Sequence, residues 1–493
     1  MLDLLANRCL ASGTNAWTET DNTVYTLGCA GSEGFMNLLP IYLDHILFPS
    51  LTDAAFMSEV YSVTETGDDN GAVYCEMQGR ENSGESRGNL ELLRQIYPGS
   101  GYSAETGGIM KNLRESTNIE KIRKYHSNYY RPENLSIVIA GQVTLEEVMK
   151  ALAPIEAKIA KRKGSYPPFV VPWQTPVAPL KESKDVKVLF PSDEEESGLV
   201  YIGFLGPKAT TDYETLTACC LLLKYLTETS VSPIQQSFIE LDEPFASRVN
   251  YNISENSTSL LYFSFENVPI DRIDLIYERF IQLLVDIANG KDKLDEERMK
   301  IVFEKYILER LSSLENSPHD DIAYHIFGDV LYGKTDEDFD KRLNVHDIVN
   351  KLQSYELDYW TDLLRKYFID NNNVVVRTYP SIAEKEKLAK DEAERLQARR
   401  DELGEEGLLK KGVELDDAME INDRPPPLEM LVSVPVPSTK SISFHKMEVL
   451  RKEDKMPVGS ALDFEKLPFY LEIYNMKTNF VYVRLIVVFG AES

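Results

Sequence analysis

The order helix, turn, branched-apolar strand occurs twice in this chain, as TNIEKIRKYHSNYYRPENLSIVIAG at 117–141 and ELDYWTDLLRKYFIDNNNVVVRTYP at 356–380. In each copy an aromatic residue (Tyr130, Phe368) precedes an asparagine (Asn134, Asn372) by four, and the strand follows directly. The helices upstream agree as well: NLLPIYLDHILFPSLTDAAF at 37–56 is similar to TACCLLLKYLTETSVSPIQQSF at 217–238. A repeat this long is a duplicated domain, since solenoid repeats have periods of roughly 20–50 residues. The expectation is an α+β chain with two homologous domains, each an antiparallel-rich sheet packed with helices, plus the start of a third.

Punctuation in the sequence sets the expected boundaries. Residues 1–165 form the first domain. The proline-rich stretch KGSYPPFVVPWQTPVAPLKESKDVK at 163–187 reads as a linker, and 188–383 is the second domain. EKEKLAKDEAERLQARRDELGEEG is charged on nearly every face, so it reads as a solvated helix that bridges rather than packs, ended by RPPP, within a linker spanning 384–430. The strands PFYLEIYN and NFVYVRLIVVF in 431–493 need neighbours, which implies an incomplete third domain. Near the front, residues 12–33 read as a hairpin, and LDLLANRCLA has helical spacing with no cap before it, as though a front segment preceded it.

The formal net charge of −27 argues against nucleic acid as a partner and would repel anionic membranes. Five cysteines without paired spacing point to a reducing compartment rather than a disulfide framework. No secretory signal is visible, so the expected location is cytoplasmic, or mitochondrial if a front segment is missing.

Six histidines occur, none in an HExxH or HxxEH pair, and His45 and His126 read as satisfied helix histidines. The anomaly is GAVYCEMQGREN, a helix with one carboxylate, Glu76, in its apolar part.

SGTNAWTETDNTVY, LPIYLDHILFPSL, GAVYCEMQGREN and YYRPENLSIVIAG, in that order and spacing, resemble the pitrilysin/insulinase family of zinc metallopeptidases, the inverzincins. The subgroup nearest in pattern contains the presequence proteases and their cytosolic relatives. The resemblance continues from GLVYIGFLGP to VVVRTYP.

In that family two histidines of HxxEH bind zinc, the glutamate between them activates water, and a glutamate from a later helix completes the site. The resemblance implies that Glu76 is that last ligand, pointing into a cleft, with Asp69 as a supporting acid. It also implies an edge strand that pairs with the substrate backbone, carried here by Asn15, Ala16 and Trp17 with Thr14 and Thr18 beside them. HxxEH would lie roughly seventy to eighty residues before Glu76, and these 493 residues do not contain it. Without the imidazoles and the general base, one carboxylate does not hold zinc usefully. The expectation is therefore a family of peptide-degrading zinc enzymes, no catalytic residue in this chain, zinc not retained, and peptides as substrate or ligand. The alternative is a non-catalytic peptide-binding or partner subunit of the same fold.

Overall fold

A computed structural model describes residues 1–161, 169, 171, 175–442, 447–451, 467–481 and 483–485. The chain opens with helix α1 (Leu2–Arg8) and a hairpin, β1 (Ala11–Thr18) and β2 (Thr23–Cys29), where one was expected. Next come α2 (Ser32–Leu47), α3 (Asp53–Glu59), the short ladder β3 (Ser62–Val63) and β4 (Asp69–Asn70), and α4 (Ala72–Arg80). Helices α5 (Gly84–Ile96), α6 (Met110–Glu115), α7 (Ile119–Tyr129) and α8 (Leu145–Ala160) follow. Each of α3, α5, α7 and α8 starts at a Ser, Thr or Asn whose side chain accepts from a backbone amide in the first turn.

The second half is built on one sheet. Strands β5 (Lys184–Pro191), β6 (Ser197–Leu205), β7 (Arg248–Ser254), β8 (Leu260–Pro269) and β9 (Asn373–Ser381) lie in the order β5-β9-β6-β8-β7. Only the β5–β9 pair is parallel. Alternation along the strands divides the two faces. Val200, Ile202, Phe204, Phe263 and Val375 enter the large core with α9 (Tyr213–Thr227), α10 (Pro233–Phe238), α11 (Ile276–Ala288) and α12 (Glu296–Asn316). Tyr201, Leu260, Val374 and Val376 point the other way, onto Leu92 and Ile96 of α5 and Tyr97 just after it. Burial on both faces is why these strands read as unbroken apolar runs. The approach of α5 is close: a Cβ at Gly88 would lie 2.5 Å from the Tyr201 ring and 2.7 Å from Thr378 Cγ2.

After α12 the chain makes α13 (Pro318–Tyr332), α14 (Asp336–Leu343), α15 (Val345–Leu352) and α16 (Leu357–Leu364), the last running through a π turn into β9. Helix α17 (Ile382–Asn422) and α18 (Leu428–Ser433) follow, then β10 (Glu448–Leu450), which pairs with β11 (Ile473–Asn475). The mixture of helices with a largely antiparallel sheet is the expected α+β class. Among the described residues no helix is long and apolar enough to cross a membrane.

The two repeat copies diverge at their strands. Asn134 Nδ2 donates to Tyr129 O at 2.9 Å, and Asn371, one residue before the matching Asn372, donates to Tyr367 O at 3.1 Å, so both turns close on the helix just ended. Residues 373–381 then become β9, inside the sheet. The strand expected at 135–141 does not form: Leu135 and Ile139 pack on Leu39, Leu43, Leu47 and Ile155. Among the described residues no strand pairs with that segment, and an extended run without a ladder partner is not a strand.

Three other expectations are corrected. β5 begins at Lys184, inside the stretch read as linker, of which 163–168, 170 and 172–174 lie outside the described residues. The charged helix is not merely solvated, since α17 packs along α3 and the β3–β4 ladder, bending at Gly404 (φ 60°). PFYLEIYN supplies only the three residues of β11, and the described part of NFVYVRLIVVF carries no strand.

Candidate functional site

Glu76 stands on α4, whose other face buries Tyr74 and Met77 against Leu113. The helix starts at Gly71, with φ of 126°, because a Cβ there would lie 2.5 Å from Val60 O. This orientation sends Glu76 outward. Its side chain is 64% exposed and pairs at 3.4 Å with Arg80, one turn on, which also holds Glu105 at 3.0 Å.

Three of the six histidines are engaged elsewhere. The His45 ring meets Ile41 O at 2.8 Å, and the His126 ring meets Ile46 O at 2.8 Å and stacks on Tyr130. His325 is clamped between α12 and α13 beside the Arg310–Asp321 pair, whose two bonds measure 2.6 and 2.9 Å. Burial, and then the Arg310 charge, push His325 down to about 4. Among the described residues no three His, Cys, Asp or Glu side chains converge as a metal site. A lone solvated carboxylate with a guanidinium beside it does not fit zinc, which needs several nitrogen, sulfur or carboxylate donors converging on it.

Asp69, expected to support that site, does different work. Its Oδ1 accepts from Tyr61 Oη and Arg399 Nη2, both at 2.8 Å, and its Oδ2 accepts from Tyr74 Oη at 3.0 Å and Arg395 Nη2 at 2.8 Å. Arg114 donates to Tyr74 Oη at 2.7 Å, and Arg399 reaches Gly67 O at 2.9 Å. Burial is the largest influence on the Asp69 carboxyl and pushes its pKa up, but the hydrogen bonds from Tyr61, Arg399 and Arg395 outweigh it and hold the pKa below the usual carboxylate range. The cluster fastens α17 to the ladder preceding α4.

Asn15, Ala16 and Trp17 all lie on β1, whose sole ladder partner among the described residues is β2. Glu19 N donates to Asn22 O at 2.8 Å, so by the alternation of antiparallel pairs the main-chain groups of Thr14, Ala16 and Thr18 point away from β2. Among the described residues Ala16 N–H is met only locally, by Asn15 Oδ1 at 2.9 Å. The strand's outer edge is thus open for pairing. The Trp17 ring lies 6.5 Å from that of Tyr324 on α13, at 30°. At the hairpin tip Asp21 accepts from the Tyr332 hydroxyl, whose pKa is raised first by burial and then by the Asp21 charge. Tyr97 and Tyr102, packed ring to ring, hold the neighbouring β7–β8 turn: Tyr97 Oη donates to Thr258 O at 2.7 Å, and Tyr102 Oη accepts from Ser257 N at 3.1 Å.

Sequence reasoning missed Asp21 with Tyr332 and Asp69 with Arg395 and Arg399. The partners are separated by more than three hundred residues, and no local spacing links them.

A family model described as the peptidase M16 inactive domain matches residues 116–302. The uncharacterized protein C05D11.1 of Caenorhabditis elegans is 34% identical over 98% of this chain and 48% of its own length. The mitochondrial presequence protease of Xenopus laevis is 28% identical over 55% of this chain and 27% of its own length. A protease structure from Helicobacter pylori shares the fold, with a TM-score of 0.62 at 18% identity over 77% of this chain and 84% of that one. The chain spans about half the length of the curated relatives it matches most extensively, 48% in the first case. The ordered motifs, the matching family model and the shared fold together identify the chain as a member of the M16, pitrilysin/insulinase-type, peptidase family, near the presequence proteases.

Proposed function

We propose that these 493 residues form a peptide-binding part of a metallopeptidase-family protein, in which an extended peptide adds to the free edge of β1, and that they carry out no hydrolysis by themselves. The observation that supports the reading is the unpaired edge, where among the described residues Ala16 N–H is covered only by the neighbouring Asn15 side chain. A peptide carbonyl replaces that internal contact with a main-chain bond, and main-chain bonds are common to every peptide, which suits broad selectivity. The absence of hydrolysis is argued from the donor set: Glu76 has Arg80 beside it, and among the described residues no imidazole pair joins it. The high negative charge supports peptides over nucleic acid or anionic membranes as partners, and the cytoplasm is the compartment proposed.

The test is binding of labelled extended peptides to the chain by fluorescence anisotropy, with zinc content and peptide hydrolysis measured on the same sample. The expected result is saturable binding, weakened in Ala16→Pro because proline removes the outward N–H while leaving the bonds to β2. Zinc is expected well below one per chain, with no cleavage. Tight stoichiometric zinc with cleavage lost in Glu76→Gln would overturn the non-hydrolytic reading, and binding unchanged in Ala16→Pro would overturn the edge.

A further inference from the structure

The hairpin edge ends in an arrangement that neither main-chain pairing nor packing uses. Side chains two residues apart in an extended strand share a face. Trp17 and Glu19 therefore stand together, the Glu19 N to Asn22 O bond continuing the ladder one step past Thr18. Across from Trp17 lies Tyr324 of α13, 63% exposed and itself edge-on to Phe327. Two residues beyond Glu19 is Asp21, whose carboxylate accepts from Tyr332 and from Asn22 Nδ2 at 2.9 Å.

Among the described residues neither Glu19 nor Asp21 has a cationic partner. Packing around the Glu19 carboxyl, and then the Asp21 charge, hold its pKa above the usual value. A cation beside it offsets both effects. Exposed aromatic faces next to an uncompensated carboxylate attract ammonium and guanidinium groups, whose alkyl stems pack on the rings while the charged head reaches the acid.

We propose that a peptide seated on the free edge of β1 is selected by a lysine or arginine side chain, held between the Trp17 and Tyr324 rings and the Glu19 carboxylate. The inference rests on the edge-pairing reading above. Directly opposed residues of neighbouring strands present their side chains on one face, so the peptide residue opposite Trp17 is the one selected. An apolar side chain would satisfy the rings and leave the carboxylate alone; a glutamate would add a third negative charge.

The experiment uses the whole chain and three labelled extended peptides that differ only at the central residue: lysine, norleucine or glutamate. Binding is read by anisotropy at low salt. The lysine peptide is expected to bind about 3- to 10-fold more tightly than the norleucine peptide, the range open to a partly exposed charge contact with a cation–π component. Glu19→Gln removes most of that preference while leaving norleucine binding in place, and Tyr324→Ala reduces it further. Both positions are on the surface, and unchanged thermal melting of the variants separates a lost contact from a lost fold. Equal binding of lysine and norleucine peptides would overturn the cationic subsite and leave the edge reading standing. No binding of any of the three would overturn both.

Discussion

Arg399 on α17 donates to Asp69 beside α4 at 2.8 Å, across 330 residues of sequence, and the Asp69 side chain is only 4% exposed. A carboxylate buried this deeply is tolerable because two guanidinium groups and two phenols fill its acceptor positions. Removing it strands both arginines at a packed interface. Asp69→Ala is expected to destabilise the chain by about 3–5 kcal/mol in urea unfolding, the range for breaking one side of a buried pair. A loss no larger than that of an ordinary surface substitution would show that α17 docks through its other contacts.

The same carboxyl makes acid stability sensitive to this cluster. Its folded pKa lies below the unfolded value of about 3.9, so its contribution is complete above that value and disappears as pH falls through the folded one. Wild type is expected to lose stability below about pH 4 more steeply than Asp69→Ala. Parallel curves of unfolding midpoint against pH would contradict the cluster as the source.

His325 acts in a different window. Its folded pKa is pushed down to about 4, so between the unfolded value of about 6.5 and that point the unfolded chain binds the extra proton. Stability is expected to fall as pH drops through this range, by at most about 3 kcal/mol. His325→Gln keeps an acceptor for Arg310 and cannot be protonated, so its urea midpoint is expected to vary less between pH 7 and pH 4.5 than that of wild type. Equal variation would rule out His325 as the titrating group.

Gly88 marks where α5 meets the sheet. A methyl group there would sit 2.5 Å from the Tyr201 ring, inside any real contact distance. Gly88→Ala is expected to cost about 1–3 kcal/mol by overpacking, despite alanine's better helix propensity. A stabilised Gly88→Ala in thermal unfolding would show that the helix and sheet can separate without penalty.

Glu76 provides the contrast. It is solvated and joined to Arg80 only by a surface contact of 3.4 Å, so Glu76→Gln is expected to shift stability by less than about 0.5 kcal/mol. Adding zinc to wild type or variant should leave the melting temperature unmoved. A zinc-dependent rise in wild type that is absent in Glu76→Gln would point to metal binding at α4.

Much of this molecule was determined locally by the sequence. The repeated helix–turn pattern placed α7 and α16, the matching upstream stretches placed α2 and α9, residues 12–33 placed the hairpin, and the quoted motifs pointed to the family. Helix periodicity and turn chemistry act over a few residues, so they can be read one window at a time. Tertiary structure decided what those elements do. The apolar run at 373–381 became a strand inside the sheet, and its counterpart at 135–141 stayed unpaired, because a ladder needs a neighbour and periodicity does not name one. The direction of Glu76 was set by Tyr74 and Met77 turning inward, and the roles of Asp69, Asp21 and Tyr332 by partners far away in the chain. Burial and ion pairing depend on what folding brings together, and residue type alone carries no record of that distance.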